Sequence, residues 1–103
     1  METVKIIKTK LKGFWKDKPI KKAYLFGSIV RQELTPTSDI DILVELDDTK
    51  TVGMIEYIKI TEELEKILSR KVDLVATDGL SPFIKPTIDR EKLLIYEAEF
   101  GRQ

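Results

Sequence analysis

Ten residues separate Gly27-Ser28 from Asp39, and Asp39 opens Asp39-Ile40-Asp41-Ile42-Leu43-Val44, a segment with two carboxylates in an otherwise apolar run. Side chains alternate along a strand, so Asp39, Asp41 and Leu43 share one face while Ile40, Ile42, Val44 and Leu46 share the other. Alternate positions lie about 6.5 Å apart along the backbone, close enough for two carboxylates to converge on one ion. At about 4 Å and an effective dielectric of about 20, such a pair repels by roughly 4 kcal/mol. A hard divalent cation reverses that sign, and Mg²⁺ takes one or two protein carboxylates together with substrate phosphate oxygens. An isolated Asp-x-Asp equally fits a strand whose outer face is merely acidic, so the surrounding residues must decide.

Two of those surroundings bear on the chemistry. Ala23-Tyr24-Leu25-Phe26-Gly27-Ser28-Ile29-Val30-Arg31 reads as strand, turn and short helix. Gly27 permits a tight turn and a close ligand approach, Ser28 offers a hydroxyl and a helix cap, and the helix start would aim free N–H groups at a phosphate. An ordinary capped turn has the same two residues. Lys71-Val72-Asp73-Leu74-Val75 is a second β-branched run with one acid at its centre, Val72 and Leu74 facing inward and Asp73 outward. If the two strands are neighbours, three carboxylates cluster, and such a cluster suits two divalent ions bridging an attacking oxygen and a leaving pyrophosphate.

The elements that would position these groups alternate along the chain. Val4, Ile7, Leu11 and Phe14 mark the inner face of a first helix that ends near Gly13 to Trp15. Strands are expected at 21–26, 39–46, 71–75 and 93–96, and a loop at 34–37. Met54, Ile55, Ile58, Thr61, Leu64, Ile67 and Leu68 form the longest helical stripe, read as core packing. Ser81-Pro82 reads as the start of a helix to about Arg90, which Pro86 would shorten or kink. Residues 100–103 read as a frayed tail. The result is an α/β (α+β) domain: a mixed β-sheet of about four strands flanked by helices, with the whole of 1–103 as one domain. Trp15, Tyr24, Tyr57 and Tyr96 sit in or beside these elements, where aromatic side chains pack more often than they stack on a base.

Composition narrows the function classes. A chain of 103 residues supports one core and is too short for a template-directed polymerase with separate modules. There is no Cys and no His, which excludes disulfides, thiolate or His-ligated metals and His-based triads, so any metal must take oxygen ligands. The 18 basic and 18 acidic residues balance, against a chain-wide nucleic-acid footprint. Residues 1–31 nonetheless hold nine Lys/Arg against Glu2 and Asp17. A basic patch can take RNA, but Lys5, Lys8, Lys10, Lys12 and Lys16 read first as the wet face of an amphipathic helix. No apolar run is long enough to span a bilayer and no signal peptide is legible, so no membrane role and a cytoplasmic setting are expected.

Gly27-Ser28, the interval, Asp39-x-Asp41 and the later Asp73, with Leu25-Phe26-Gly27-Ser28-Ile29-Val30-Arg31 and Ser38-Asp39-Ile40-Asp41 around them, resemble the minimal nucleotidyltransferases of the DNA polymerase beta-like superfamily, over nearly the whole chain. The resemblance implies a palm-like fold and transfer of a nucleoside monophosphate, AMP from ATP or from another NTP, to an acceptor hydroxyl with pyrophosphate released. It implies two Mg²⁺ ions held by Asp39, Asp41 and Asp73, with Asp73 helping to deprotonate the acceptor. Gly27 and Ser28 would grip the outer phosphates, with Arg31 and Ser38 as further nucleotide contacts. The sequence departs from the pattern at Gln32, where relatives often carry Gly, which bears on the local turn. Within the resemblance, chains this short accompany a helical HEPN-type toxin and serve as its antitoxin. An adenylylating enzyme and a binding module that only occludes the toxin both fit that pairing; modification of a small molecule such as an aminoglycoside ranks last. Three mutually repelling acids, costly without a metal, favour the enzyme.

Overall fold

The computed structural model describes residues 2–98, so the expected tail at 100–103 lies outside the described residues. Four strands, β1 (Ile20–Phe26), β2 (Ile40–Leu46), β3 (Val72–Ala76) and β4 (Leu93–Glu97), form one sheet in the order β3-β2-β1-β4. β1 runs antiparallel to both β2 and β4, whereas β2 and β3 are parallel. Parallel neighbours need a crossover, and α2 (Met54–Leu68) supplies it. α1 (Glu2–Lys10) precedes the sheet and α3 (Lys85–Glu91) leads into β4. The mixed α+β architecture expected from the alternation of patterns is the one observed.

Apolar positions two apart on the strands and three or four apart on the helices meet in one cluster. Ile40, Ile42 and Val44 of β2 are buried there with Ala23 and Leu25 of β1, Val72 and Leu74 of β3, Ile7 of α1, and Ile60, Leu64 and Leu68 of α2. Two faces differ from expectation. On α2 the inward line runs through Ile60, Leu64 and Leu68, while Met54, Ile55, Ile58 and Ile67 are exposed, because the sheet meets only one side of a helix that is apolar on more than one. On β2, Leu43 shares a face with Asp41 yet is fully buried, so the strand is covered on both sides away from its acidic end.

The lysines of α1 and the segment after it are exposed, as a solvated helix face requires. Gly13, at φ 89, ends that segment in a left-handed turn, and Trp15 packs beneath it with its ring stacked 5.8 Å from that of Tyr96. α3 begins later than Ser81-Pro82 suggests. The Ser81 carbonyl accepts the N–H groups of Ile84 and Lys85 in a preliminary turn, and Pro86 sits in the first turn of the helix proper, where its missing N–H costs nothing. Pro86 therefore shortens the helix without kinking it.

Candidate active site

β2 and β3 lie side by side with Asp41 directly opposite Asp73, and on the other side Phe26 of β1 is opposite Asp41. Adjacent strands are about 4.8 Å apart, so parallel pairing brings the Asp41 and Asp73 carboxylates to one patch of one sheet face. Val72 and Leu74 point into the core while Asp73 is exposed. Asp39 stands just before β2 and is also exposed. The segment that delivers it is pinned: Arg70 Nη1 donates to the carbonyls of Thr35 (2.9 Å) and Ser38 (2.8 Å), and the Ile40 N–H donates to the Lys71 carbonyl.

Asp41 is the strained member of the set. Its carboxyl is pushed up to about 6, first by burial, then by the negative charges of Asp73 and Asp39, with Arg31 pulling the other way and Glu91 adding to the rise. It receives no hydrogen bond among the described residues. An oxygen-only set of repelling carboxylates fits a hard divalent cation, whose charge would offset the repulsion that adds to that rise. Among the described residues, however, no three acidic side chains are gathered into a ready metal cage. The set is open, as suits an ion that shares its coordination with substrate phosphates.

Gly27 lies under this carboxylate. Its φ is 79, and a Cβ built there would fall 2.1 Å from Asp41 Oδ2, so both the conformation and the space require glycine. The helix expected after Ser28 is instead a short 3-10 turn over Gly27–Ile29, capped by Phe26, with no side-chain cap from Ser28. The Gly27 carbonyl accepts the N–H groups of both Val30 (3.0 Å) and Arg31 (3.2 Å), a single turn that does not propagate into a helix, and Ser28 follows Gly27 without the capping role. Gln32 takes φ 59, so the position where Gly was expected does use the left-handed region.

The remaining expected contacts are already engaged. The Ser38 hydroxyl accepts the Thr35 N–H (2.9 Å) and lies 2.8 Å from Thr35 Oγ1, closing the 35–38 loop and not facing a ligand freely. Arg31 is held by two acids: Nε donates to Glu33 Oε1 at 3.0 Å, and Nη1 to Glu91 Oε1 and Oε2 at 3.1 and 3.0 Å. Glu91 also accepts the Gly27 N–H at 2.8 Å. Sequence reasoning missed Glu91, because an acid within Asp89-Arg90-Glu91-Lys92 has the look of any solvated helix end.

The family described as "Polymerase beta, Nucleotidyltransferase" matches residues 8–100. The relative named "Putative protein adenylyltransferase MJ1379", from Methanocaldococcus jannaschii, is 42% identical over 98 residues, covering 93% of this chain and 96% of its own. The fold recurs in a toxin-antitoxin crystal structure with AMP-PNP, at TM-score 0.73 and 23% identity over 89% of this chain and 74% of that one. It recurs again in the complex of a tri-AMPylated Shewanella oneidensis HEPN toxin with MNT antitoxin, at TM-score 0.68 and 21% identity over 93% and 74%. A match that runs from α1 through both acid-bearing strands, joined to a relative alike along nearly its full length, leaves one assignment: the chain belongs to the polymerase beta nucleotidyltransferase family.

Proposed function

We propose that this nucleotidyltransferase moves AMP from ATP to a hydroxyl of a helical HEPN-type partner protein and so acts as an antitoxin. The observation that carries the catalytic part is Asp41 opposite Asp73 on adjacent parallel strands, with Asp41 against Gly27. The adenylyl group and the protein acceptor are drawn from what the similar proteins are named for: protein adenylyl transfer in one, and an AMPylated HEPN toxin bound to its antitoxin in another.

In this reading the acceptor oxygen bonds to the α-phosphorus while the bond from that phosphorus to the β-phosphate oxygen breaks, and pyrophosphate leaves. The acceptor proton passes to the exposed Asp73 carboxylate. Mg²⁺ bound by Asp39, Asp41 and Asp73 would neutralise the charge spread over the transferring phosphoryl oxygens. Gly27, with no side chain, would let the triphosphate approach the backbone, and Ser28 and Arg31 would take its outer phosphates. Ser38 serves by holding the loop that presents Asp39. No helix among the described residues is long and apolar enough to cross a membrane, and a cytoplasmic site, where ATP and Mg²⁺ are available, goes with this reading.

The test is incubation with ATP labelled at the α-phosphate, Mg²⁺ and a co-encoded helical partner. Label should become covalently attached to the partner, and should not when Mg²⁺ is chelated. Protection from the partner's toxicity with no label transferred would replace the enzyme by a binding module that only occludes it.

A further inference from the structure

We propose that Glu91 is a positioning residue of the nucleotide site, setting both the Gly27 turn and the direction of the Arg31 guanidinium; this rests on the nucleotidyl-transfer reading above. Glu91 ends α3, one turn after the buried Ile88 that anchors the helix. Its side chain is 18% exposed and that of Arg31 is 48% exposed, so the more enclosed, helix-borne carboxylate is the fixed partner and the arginine is the one being held.

One carboxylate thus reaches two separate parts of the site. Through Oε1 it accepts the Gly27 N–H, and that glycine has no room to shift toward Asp41. Through both oxygens it accepts Arg31 Nη1, while Glu33 takes Nε. Guanidinium has five N–H donors, and Nη2 makes no hydrogen bond among the described residues. Nε and Nη1 lie on either side of Nη2, so the two acids hold the guanidinium from both flanks and fix the direction in which Nη2 points. Charge-assisted bonds of this kind are about twice as strong as neutral ones, enough to keep a half-exposed arginine in one orientation.

The geometry separates the two tasks by substitution. Glu91→Gln keeps an oxygen for the Gly27 N–H but gives up the charge that holds Arg31. In the full chain with Mg-ATP it should raise KM for ATP about tenfold with kcat near the wild-type value, the pattern of lost binding that ground and transition states share. Glu91→Ala loses both contacts and should raise KM similarly and lower kcat about tenfold as well. Arg31→Gln should raise KM while leaving the Gly27 amide proton resonance of the nucleotide-free chain unmoved; that resonance should move upfield in Glu91→Ala and less far upfield in Glu91→Gln, whose neutral amide oxygen accepts more weakly than the carboxylate. The proposal is overturned if both Glu91 variants keep the wild-type KM, kcat and Gly27 resonance. It is also overturned if either binds ATP more tightly, which would make Glu91 a placeholder that phosphate displaces. A wild-type chain that binds no Mg-ATP overturns the proposed function itself, a result distinct from either.

Discussion

Each end of β2 carries an aspartate in or beside the strand, and their surroundings drive them in opposite directions. Asp47, only 8% exposed, is the more enclosed. Its Oδ1 accepts the Thr49 hydroxyl at 2.7 Å and the Thr49 N–H at 2.9 Å, and these bonds hold its carboxyl below the usual carboxylate range. Asp41, half-buried, has no such donors; burial and the Asp73 and Asp39 charges push it up to about 6. Burial by itself therefore does not mark a reactive acid. A carboxylate supplied with its own donors closes a turn and stays charged, whereas one partly buried among like charges holds its proton more tightly.

The sharpest way to break this contrast is to exchange charge for amide at the site end and remove the acid at the other. Asp41→Asn should lower labelled AMP transfer by about 1,000-fold or more, corresponding to some 4 kcal/mol of lost transition-state stabilisation. Asp47→Ala should leave transfer within about twofold per folded molecule, since its side-chain hydrogen bonds both go to Thr49 in its own turn. Equal losses in the two variants would show that the ends of β2 are not functionally distinct.

A smaller effect follows from Gly27. In Gly27→Ala the left-handed backbone costs about 1–2 kcal/mol, and the new methyl must also displace the Asp41 carboxylate. Transfer should fall by about 100-fold, measured beside a denaturation curve that shows the chain still folded. Full activity in this variant would mean that Asp41 need not sit where it does.

The smallest effects are in stability and have opposite signs with pH. Asp41 has a folded pKa of about 6 against 3.8 as its ordinary value, so the folded chain binds more protons than the unfolded one between them. The contribution of Asp41 to stability is then fully present below about pH 4, is lost as pH rises to about 6 and is level above. Removing that charge in Asp41→Asn should raise stability at pH 8 by about 1 kcal/mol, once the shift is discounted for solvent screening, and change little at pH 3.5. Asp47 acts in reverse: its folded pKa is depressed, so its contribution is present above about pH 4 and is lost as pH falls through the folded value. Asp47→Ala should accordingly lower Tm at pH 7, with the deficit shrinking in acid. Parallel pH profiles of stability for the two variants would refute the opposed environments.

Much of the fold was legible because it is written in local periods. Alternation in Ile40 to Leu46 and in Val72 to Leu74 located two strands to within a residue, and the run before Gly27 located a third. Local period was less informative where a segment is apolar on more than one side: on α2 it placed exposed Ile58 in the core stripe and left out buried Ile60. At the site, Asp41 and Gly27 stood out in the text because an acid in an apolar strand and a glycine at a strand end are both unusual. Ser38 and Arg31 could be placed near the site but not assigned their partners, since Thr35 lies in a loop and Glu91 lies 60 residues further along.

What the sequence determined by itself was the set of elements, the absence of any ligand chemistry beyond oxygen, and the family to which the spacing of its glycine and acids resembles. Only the tertiary structure decided that β3 pairs with β2 so that Asp73 faces Asp41, that Asp47 finds its hydrogen-bond donors in its own turn, and that Glu91 reaches back to Gly27 and Arg31. The reason is physical: side-chain alternation is a property of each strand alone, whereas register and hydrogen-bond partners are properties of pairs, set by which surfaces the crossover helix and the core bring together.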